Sequence, residues 1–269
     1  MSNKNVIGVF DSGIGGTSIW KEIVARLPGE GTIYLADSIN APYGAKSKED
    51  IIALSVKNTE KLINLGAKII VVACNTATTN AIDYLREHYN IPFIGIEPAI
   101  KPAAVQSQSK AIGILATKGT LNSALFQTTS ERWTQGVDVI EVIGEGLVPL
   151  IEQGDLENLE LYNLLESYIQ PMLEKNIDYL VLGCSHYPYL IPLLKKMLPP
   201  KVAIIDSGLA VARQTEAVLK ESNNLSGDVS SGEHYIYTNG DVKVLKKMLS
   251  RFRESVKPTT TITISHKDF

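Results

Sequence analysis

The sequence has only two cysteines among its 269 residues, Cys74 and Cys184, and they lie far apart. Two distant cysteines do not form the disulfide framework that stabilises small secreted domains. The sequence also lacks a Cys-x-x-Cys pair and any cluster of histidine and cysteine at metal-ligand spacing. We therefore expect neither a disulfide scaffold nor a metal site.

Long apolar runs are missing as well. No stretch approaches the roughly 20 consecutive apolar residues that a membrane-spanning helix needs. Residues 1–5 contain no apolar signal core and no small-residue cleavage site. These absences predict a cytoplasmic protein that has no membrane partner.

An excess of positive charge is also absent, since 26 Lys and Arg residues and 29 Asp and Glu residues give a formal net charge of -3. A nucleic-acid partner would call for a clustered basic face, and none is expected here. One basic cluster near the end of the chain has roughly helical spacing, which predicts the solvated face of a helix. Its members are Lys243, Lys246, Lys247, Arg251 and Arg253.

Short β-branched runs alternate with longer amphipathic segments over most of the chain. Several runs are continuously apolar, residues 69–73 most clearly, which is typical of parallel strands covered by helices on both faces. Residues 47–65 have one apolar face and begin with Ser47 and Asp50 in capping-box spacing, which predicts a helix that ends at Gly66. The predicted fold class is α/β, open and doubly wound. The predicted strands are 6–10, 32–36, 68–73, 92–96, 110–116, 137–142, 178–183 and 202–205.

Two short patterns recur later in the chain, in the same order and at nearly the same offset. I-G-V-F at 7–10 resembles I-G-I-L at 112–115, and V-V-A-C-N-T at 71–76 resembles V-L-G-C-S-H at 181–186. This repetition favours two pseudo-symmetric parallel-sheet domains that face each other, and the resemblance named below implies that the active site lies in the cleft between them.

The domain limits follow from this duplication. The first domain is predicted to contain residues 1–97 and carries Cys74, and the second contains 98–208 and carries Cys184. The last strands are expected to return and complete the first domain, with residues from roughly 209 to 269.

Each cysteine closes an apolar strand, at the edge of a parallel sheet where ligands bind. Backbone N–H groups and a helix dipole at that position favour thiolate over thiol, and we expect them to lower the pKa. A lone cysteine usually behaves as a small buried hydrophobe. Two cysteines at matching positions, each followed by polar residues, favour an acid/base role instead.

Several polar segments accompany the cysteines. Asn75 and Thr76 either cap a helix or offer donors to a substrate carboxylate, and these interpretations are compatible. His186 lies two residues after Cys184, where an imidazole can assist a thiol. Asp11 begins D-S-G-I-G-G, which lacks the spacing of a nucleotide-binding loop. It is interpreted as receiving a cation, such as a substrate ammonium, or as hydrogen-bonding a catalytic group.

Together these segments resemble the glutamate racemases, within the aspartate/glutamate racemase superfamily. The matching motifs are V-F-D-S-G-I-G-G, A-P-Y-G, A-C-N-T-A-T, L-A-T-K-G-T, L-V-P-L-I-E-Q-G, G-C-S-H-Y-P and Y-T-N-G-D, in this order from Val9 to Asp241. The resemblance implies an isomerase that interconverts L-glutamate and D-glutamate and uses neither pyridoxal phosphate nor a metal. It also implies a supply of D-glutamate for bacterial peptidoglycan, and a homodimer whose interface the sequence leaves open.

The resemblance assigns roles to matching positions. Cys74 is similar to the thiolate that takes the α-proton from D-glutamate, and Cys184 to the one that takes it from L-glutamate. Asp11 resembles the acid that assists the first thiol, and Glu152 with His186 the pair that assists the second. Further matched positions line the substrate site: Ser12, Pro42, Tyr43, Gly44, Asn75, Thr76, Thr117, Thr120 and Ser185.

One position departs from the family pattern, because Ser185 stands where a threonine is usual. The hydroxyl is kept and a methyl group is lost, so we expect hydrogen bonding to a substrate carboxylate to survive with slightly altered packing. The segment before Glu152, residues 144–147, is also less typical of the family.

Other functions remain open at this point. An aspartate racemase would use the same two thiols, and a Cys/His amidase would use Cys184 with His186 but leave Cys74 unexplained. A non-catalytic amino-acid-binding module would suit two lobes and a cleft. Inversion at an α-carbon requires a base on each face, and two opposed thiols favour the racemase.

Overall fold

The computed structural model describes residues 5–226, 232–252 and 261–269. Within them lie two wholly parallel sheets, which confirms the predicted α/β class. The first sheet has six strands in the spatial order β10-β9-β2-β1-β3-β4, and the second has four in the order β6-β5-β7-β8. The strand bounds are β1 Val6–Asp11, β2 Thr32–Ala36, β3 Ala67–Val72, β4 Phe93–Gly95, β5 Ala111–Ala116, β6 Asp138–Ile143, β7 Tyr179–Gly183, β8 Ala203–Ile205, β9 His234–Thr238 and β10 Ile262–His266.

The second sheet repeats four strands of the first in the same order, and the registers also agree. Val9 on β1 pairs with Val71 on β3, and the equivalent Ile114 on β5 pairs with Val181 on β7. The repetition in the sequence therefore reflects two lobes of the same topology, as predicted. The eight predicted strands lie within one residue of the observed ends.

Helices cover both faces of the sheets, which explains the continuously apolar strands. On the first sheet, α1 and α10 pack together on one face, and α2 and α3 on the other. One apolar core, formed by residues of both lobes, joins the two sheets. The helix bounds are α1 Thr17–Arg26, α2 Lys48–Asn64, α3 Asn75–His88, α4 Ile100–Gln106, α5 Lys118–Leu121, α6 Ala124–Trp133, α7 Leu147–Glu152, α8 Leu159–Glu174, α9 Ile191–Met197, α10 Gly208–Glu221 and α11 Val242–Ser250.

Helix α2 shows how local sequence sets these boundaries. The Ser47 hydroxyl accepts a hydrogen bond from the Asp50 N–H at 3.1 Å, as the capping pattern predicts. Gly66, with φ of 91°, lies just beyond the last turn, in the left-handed region that favours glycine.

The end of the chain returns to the first lobe. Strand β9 pairs with β2 and β10 pairs with β9, so the first sheet contains strands from both ends of the sequence. Between them, α11 buries Leu245, Met248 and Leu249 and exposes its lysines, as expected for a solvated basic face. Arg253 of that cluster lies outside the described residues. In the part of the chain that is described, no helix combines the length and the apolar character needed to cross a membrane.

Candidate active site

Cys74 and Cys184 line one small cavity between the two sheets, although they belong to different lobes. Each follows the carboxyl end of an inner strand, β3 or β7, and both are buried free thiols. The cavity is narrow, with a volume of about 10 Å³, which is about enough for one water molecule. Its lining residues are Ser12, Pro42, Tyr43, Gly44, Cys74, Asn75, Thr76, Thr117, Val148, Cys184, Ser185 and His186.

Cys74 caps the N-terminus of α3. Its Sγ accepts a hydrogen bond from the Ala77 N–H at 3.5 Å and donates one to the Ser12 hydroxyl at 3.7 Å. The expected lowering of its pKa is wrong. Burial raises the pKa of the Cys74 thiol, and the nearby Asp11 carboxylate raises it further, which outweighs the N–H donor.

Cys184 has different surroundings. Its Sγ lies 3.8 Å from Nδ1 of His186, at hydrogen-bonding distance for sulfur. The predicted helix does not follow it directly, because a 3-10 turn, Tyr187–Leu190, separates the cysteine from α9. An imidazole therefore accompanies the second thiol, whereas a helix N-terminus and a serine accompany the first.

His186 is paired with Glu152, as the resemblance implied. Nε2 of His186 lies 2.6 Å from Oε1 of Glu152, and the imidazole is 1% exposed. Burial alone would lower the pKa of His186, but its hydrogen bonds with Cys184 and Glu152 and the negative charges nearby raise it well above its usual value. The imidazolium form is therefore the favoured one.

The Glu152 carboxylate belongs to the second lobe but is held by the first. Its Oε1 accepts the Ile14 N–H at 2.7 Å, and its Oε2 accepts the Ser38 hydroxyl at 3.0 Å. Gly13 makes this approach possible, because a Cβ there would lie 2.0 Å from Oε1. The lobes are thus linked at the residues that surround the second thiol.

Asp11 lies behind the cavity wall and is fully buried. Its Oδ2 accepts the N–H groups of Gly13 and Gly16, and its Oδ1 accepts the Ser185 hydroxyl at 2.9 Å. Burial raises the pKa of Asp11, and the charge on His186 opposes that rise. Its hydrogen bonds go to the turn that carries Ser12, and the hydrogen-bond partner of the Cys74 thiol is Ser12 itself.

We expected the Ser185 hydroxyl to bind a substrate carboxylate, but it forms its hydrogen bond within the protein. The proton is donated to Asp11, and the same oxygen lies 3.4 Å from Nδ1 of His186. The side chain lines the cavity, but its hydrogen is already used within the protein.

The remaining predicted substrate residues line the cavity, except Thr120, which lies behind its wall. Both polar atoms of the Asn75 side chain are buried at the start of α3, against the cavity, and have no hydrogen-bond partner in the described part of the chain. Thr76 and Thr117 also line the cavity, and their hydroxyls lie 2.8 Å apart. Thr120 is fully buried behind them, 3.0 Å from the Thr117 hydroxyl.

Three residues near the site were not predicted from the sequence. Val148 lines the cavity from α7, and Ser38 binds Glu152. Asp37 is 2% exposed and accepts the Tyr43 hydroxyl at 2.6 Å, so it supports a cavity residue from behind. Asp37 and Ser38 directly follow a strand at the carboxyl edge of the sheet, and that position is the one signal that could have indicated them.

Comparisons with known proteins identify the family of this chain. Residues 7–215 match the family described as Asp/Glu/Hydantoin racemase. A glutamate racemase of Herpetosiphon aurantiacus is 45% identical over 235 residues, which cover 87% of this chain and 92% of that protein. A glutamate racemase of Deinococcus radiodurans is 41% identical over 249 residues, which cover 92% and 86% of the two chains.

Solved structures are similar over nearly the full length. Glutamate racemase isoform RacE1 from Bacillus anthracis has a TM-score of 0.84 and 29% identity, and the match covers 98% of this chain and 97% of that one. The glutamate racemase from Francisella tularensis in complex with D-glutamate has a TM-score of 0.81 and 27% identity, with 99% and 98% covered.

Proposed function

The chain belongs to the Asp/Glu/Hydantoin racemase family, and on this premise we propose that it interconverts L-glutamate and D-glutamate by a two-base proton transfer at the α-carbon. The observation that carries the proposal is that two thiols from different sheets line one cavity. The names of the relatives and the D-glutamate in the Francisella structure support glutamate as the substrate.

The two thiols divide the reaction between the faces of the α-carbon. With L-glutamate, the Cys184 thiolate takes the α-proton and the Cys74 thiol delivers a proton to the opposite face. With D-glutamate the roles are exchanged. Each turnover leaves the proton on the thiol that acted as the base, so the enzyme is then ready for the reverse reaction.

The charge of the substrate offsets the burial of the first thiol. A thiolate at Cys74 is disfavoured in the empty cavity, since the pKa of that thiol is raised by burial and by Asp11. The α-ammonium group of a bound amino acid brings a positive charge into the same low-dielectric space, which favours the thiolate. We therefore propose that the reactive ionisation state forms only when substrate binds.

The substrate carboxylates are bound by neutral donors in this proposal. Among the described residues, none that lines the cavity is a lysine or an arginine. The unpartnered amide of Asn75, the hydroxyls of Ser12, Thr76 and Thr117, and the N–H groups at the start of α3 supply donors instead. Fixed donors of this kind also stabilise the negative charge that develops when the α-proton leaves.

The acidic residues assist from outside the cavity wall. Glu152 holds His186 as the imidazolium, which stabilises a thiolate at Cys184 through Nδ1. Asp11 orders the turn that presents Ser12 to Cys74, and it adds negative charge that favours proton return to that thiol. Thr120 supports Thr117 from behind.

We further propose that the enzyme acts in the cytoplasm as a homodimer and supplies D-glutamate for peptidoglycan synthesis. The resemblance to glutamate racemases supports this role.

The test is proton NMR of each glutamate enantiomer in deuterated buffer, with reduced protein and no added cofactor. We expect the α-proton signal to disappear as the opposite enantiomer accumulates, with deuterium first in the product and not in the recovered substrate. Early deuterium in the recovered substrate would contradict the two-base mechanism. Exchange of aspartate without exchange of glutamate would show that the substrate is wrong, and no exchange of either would reject the function.

A further inference from the structure

The turn after β9 lies against the segment after β2, two parts of the chain that are distant in sequence. Asn239 makes three hydrogen bonds there. Its backbone N–H donates to Ala36 O at 3.3 Å, its Nδ2 donates to Asp37 Oδ1 at 2.6 Å, and its Oδ1 accepts the Ile39 N–H at 3.0 Å. The side chain is 6% exposed, so these bonds are largely shielded from water.

The contact with Asp37 continues to the cavity. The other oxygen of Asp37 accepts the Tyr43 hydroxyl, which also accepts the amide of Asn58 at 3.1 Å. Tyr43 is 1% exposed, packs in the same apolar cluster as Cys74 and lines the cavity with Pro42 and Gly44. Asn239 is therefore connected through Asp37 to the substrate loop, which we define as residues 38–44.

A second contact connects the same turn to the other thiol. A Cβ at Gly240 would lie 2.7 Å from the Cβ of Ser38, so glycine permits the turn to pack directly on that residue. The Ser38 hydroxyl binds Glu152, which pairs with His186. The first residue of the substrate loop thus touches the assistants of Cys184, and a later residue packs beside Cys74.

We propose that Asn239 is a positioning residue for racemisation: it fixes the substrate loop across the cavity, so that the loop covers Cys74 and holds Ser38 against Glu152. The proposal rests on the proposed function for its kinetic part only. The cavity itself does not explain what the Y-T-N-G-D motif does in the reaction. Positioning of the substrate loop by Asn239 gives the motif a role. The bonds of Asn239 to the loop carry this role, since the residue does not line the cavity.

The two cysteines provide a readout that does not depend on activity. They are the only cysteines in the sequence, and both line the cavity. We would measure the alkylation rate of each thiol with iodoacetamide, by peptide mass spectrometry, beside steady-state kinetics for both glutamate enantiomers. Ser107→Ala is the matched control, because Ser107 is 3% exposed and also donates to a carboxylate, Asp178, away from the cavity.

For Asn239→Ala we expect alkylation of Cys74 to accelerate about fivefold, because the loop opens more often. The KM for both enantiomers should rise about tenfold, because the loop that lines the cavity is less often in its binding position. Ser107→Ala should change neither quantity. Unchanged Cys74 alkylation and unchanged KM in Asn239→Ala would overturn the proposal.

Asn239→Asp gives a second test, which also serves if the alanine variant fails to fold. Its side chain has the size of asparagine but replaces the Nδ2 donor to Asp37 with a carboxylate oxygen, so Cys74 alkylation and KM should rise as in Asn239→Ala. Wild-type values of both quantities in Asn239→Asp would overturn the proposal. If the wild type fails to racemise glutamate, the proposed function is rejected, and the alkylation rates alone decide the role of Asn239.

Discussion

The carboxylate of Glu152 lies 2.6 Å from Nε2 of His186 and is held there by two donors from the opposite lobe, the Ile14 N–H and the Ser38 hydroxyl. Two residues of the second lobe beside Cys184 are thus held by the lobe that carries Cys74. Relative movement of the lobes would disturb this pair as well as the distance between the thiols. In the proposed mechanism, the protonation of His186 therefore depends on how the two lobes pack.

Replacement of Glu152 by glutamine tests this coupling through pH. The pKa of His186 is raised in the folded state. Protonation of His186 therefore stabilises the fold fully at pH values below its unfolded pKa of about 6.5. This stabilisation is lost as the pH rises through the folded pKa. Glu152→Gln should therefore lower the free energy of unfolding by about 2 kcal/mol at pH 6, and by less once the pH exceeds the raised pKa. Urea unfolding at a series of pH values measures the difference in unfolding free energy between the wild type and Glu152→Gln. A difference that grows as the pH rises would contradict the prediction.

Serine at either thiol position should abolish racemisation in both directions. The equilibrium constant between enantiomers is one, so kcat/KM for the two directions must fall together, by about 1,000-fold or more for loss of an acid/base group. The residual α-proton exchange should distinguish the variants. Cys184→Ser should exchange D-glutamate faster than L-glutamate, and Cys74→Ser should do the reverse, as measured by NMR in deuterated buffer.

We expect Asn75 to contribute to substrate binding and to lower the free energy of unfolding. Its amide is buried without a partner, and such groups cost about 1–3 kcal/mol. Asn75→Ala should therefore melt no lower than the wild type, while its KM for glutamate rises about tenfold. Asn80→Ala, on the same helix, is the control: Asn80 donates to Thr76 O and Gly119 O, so its loss should lower the melting temperature. A lower melting temperature for Asn75→Ala would contradict the assignment.

His234 should make the fold sensitive to acid, independently of catalysis. It packs edge-on against Trp20, its Nδ1 lies 2.9 Å from the Thr32 hydroxyl, and its Nε2 has no hydrogen-bond partner among the residues that the structure describes. Burial lowers the pKa of His234 to about 4. Because the unfolded chain binds a proton near pH 6.5 and the folded one does not, stability should fall by about 3 kcal/mol between pH 6.5 and pH 4.

The matched variant is His234→Gln, which removes the titration. Its unfolding free energy should depend less on pH in that interval, as followed by denaturant titration. Equal pH dependence in the wild type and the variant would show that other groups are responsible.

The inner strands could be read from the sequence because burial on both faces leaves a continuous apolar run, as in Ile69 to Ala73. Strand β10 gave no such signal, since Thr263 and His266 are exposed at the edge of the sheet. Edge strands carry less apolar sequence, and their pairing depends on distant residues.

The sequence predicted most of the cavity residues and, through the resemblance, the supports Asp11 and Glu152, but it did not predict Asp37 or Asn239. Cys74 and Cys184 follow apolar strands, which indicates their common edge. Asn239 contacts Asp37 across 202 positions, and no local pattern records that contact. The pKa of Cys74 also escaped prediction, because it depends on burial and on the Asp11 carboxylate rather than on the helix start alone.

The position of β9 between β2 and β10 has a consequence for synthesis on the ribosome. All four strands of the second sheet precede residue 206, so that sheet can assemble while β2 still has an unpaired edge. The first sheet closes only after β9 and β10 have emerged. A nascent chain therefore contains both cysteines before the Asn239 turn can bind Asp37. Until β9 is made, the segment after β2 lacks the three hydrogen bonds that Asn239 makes with it.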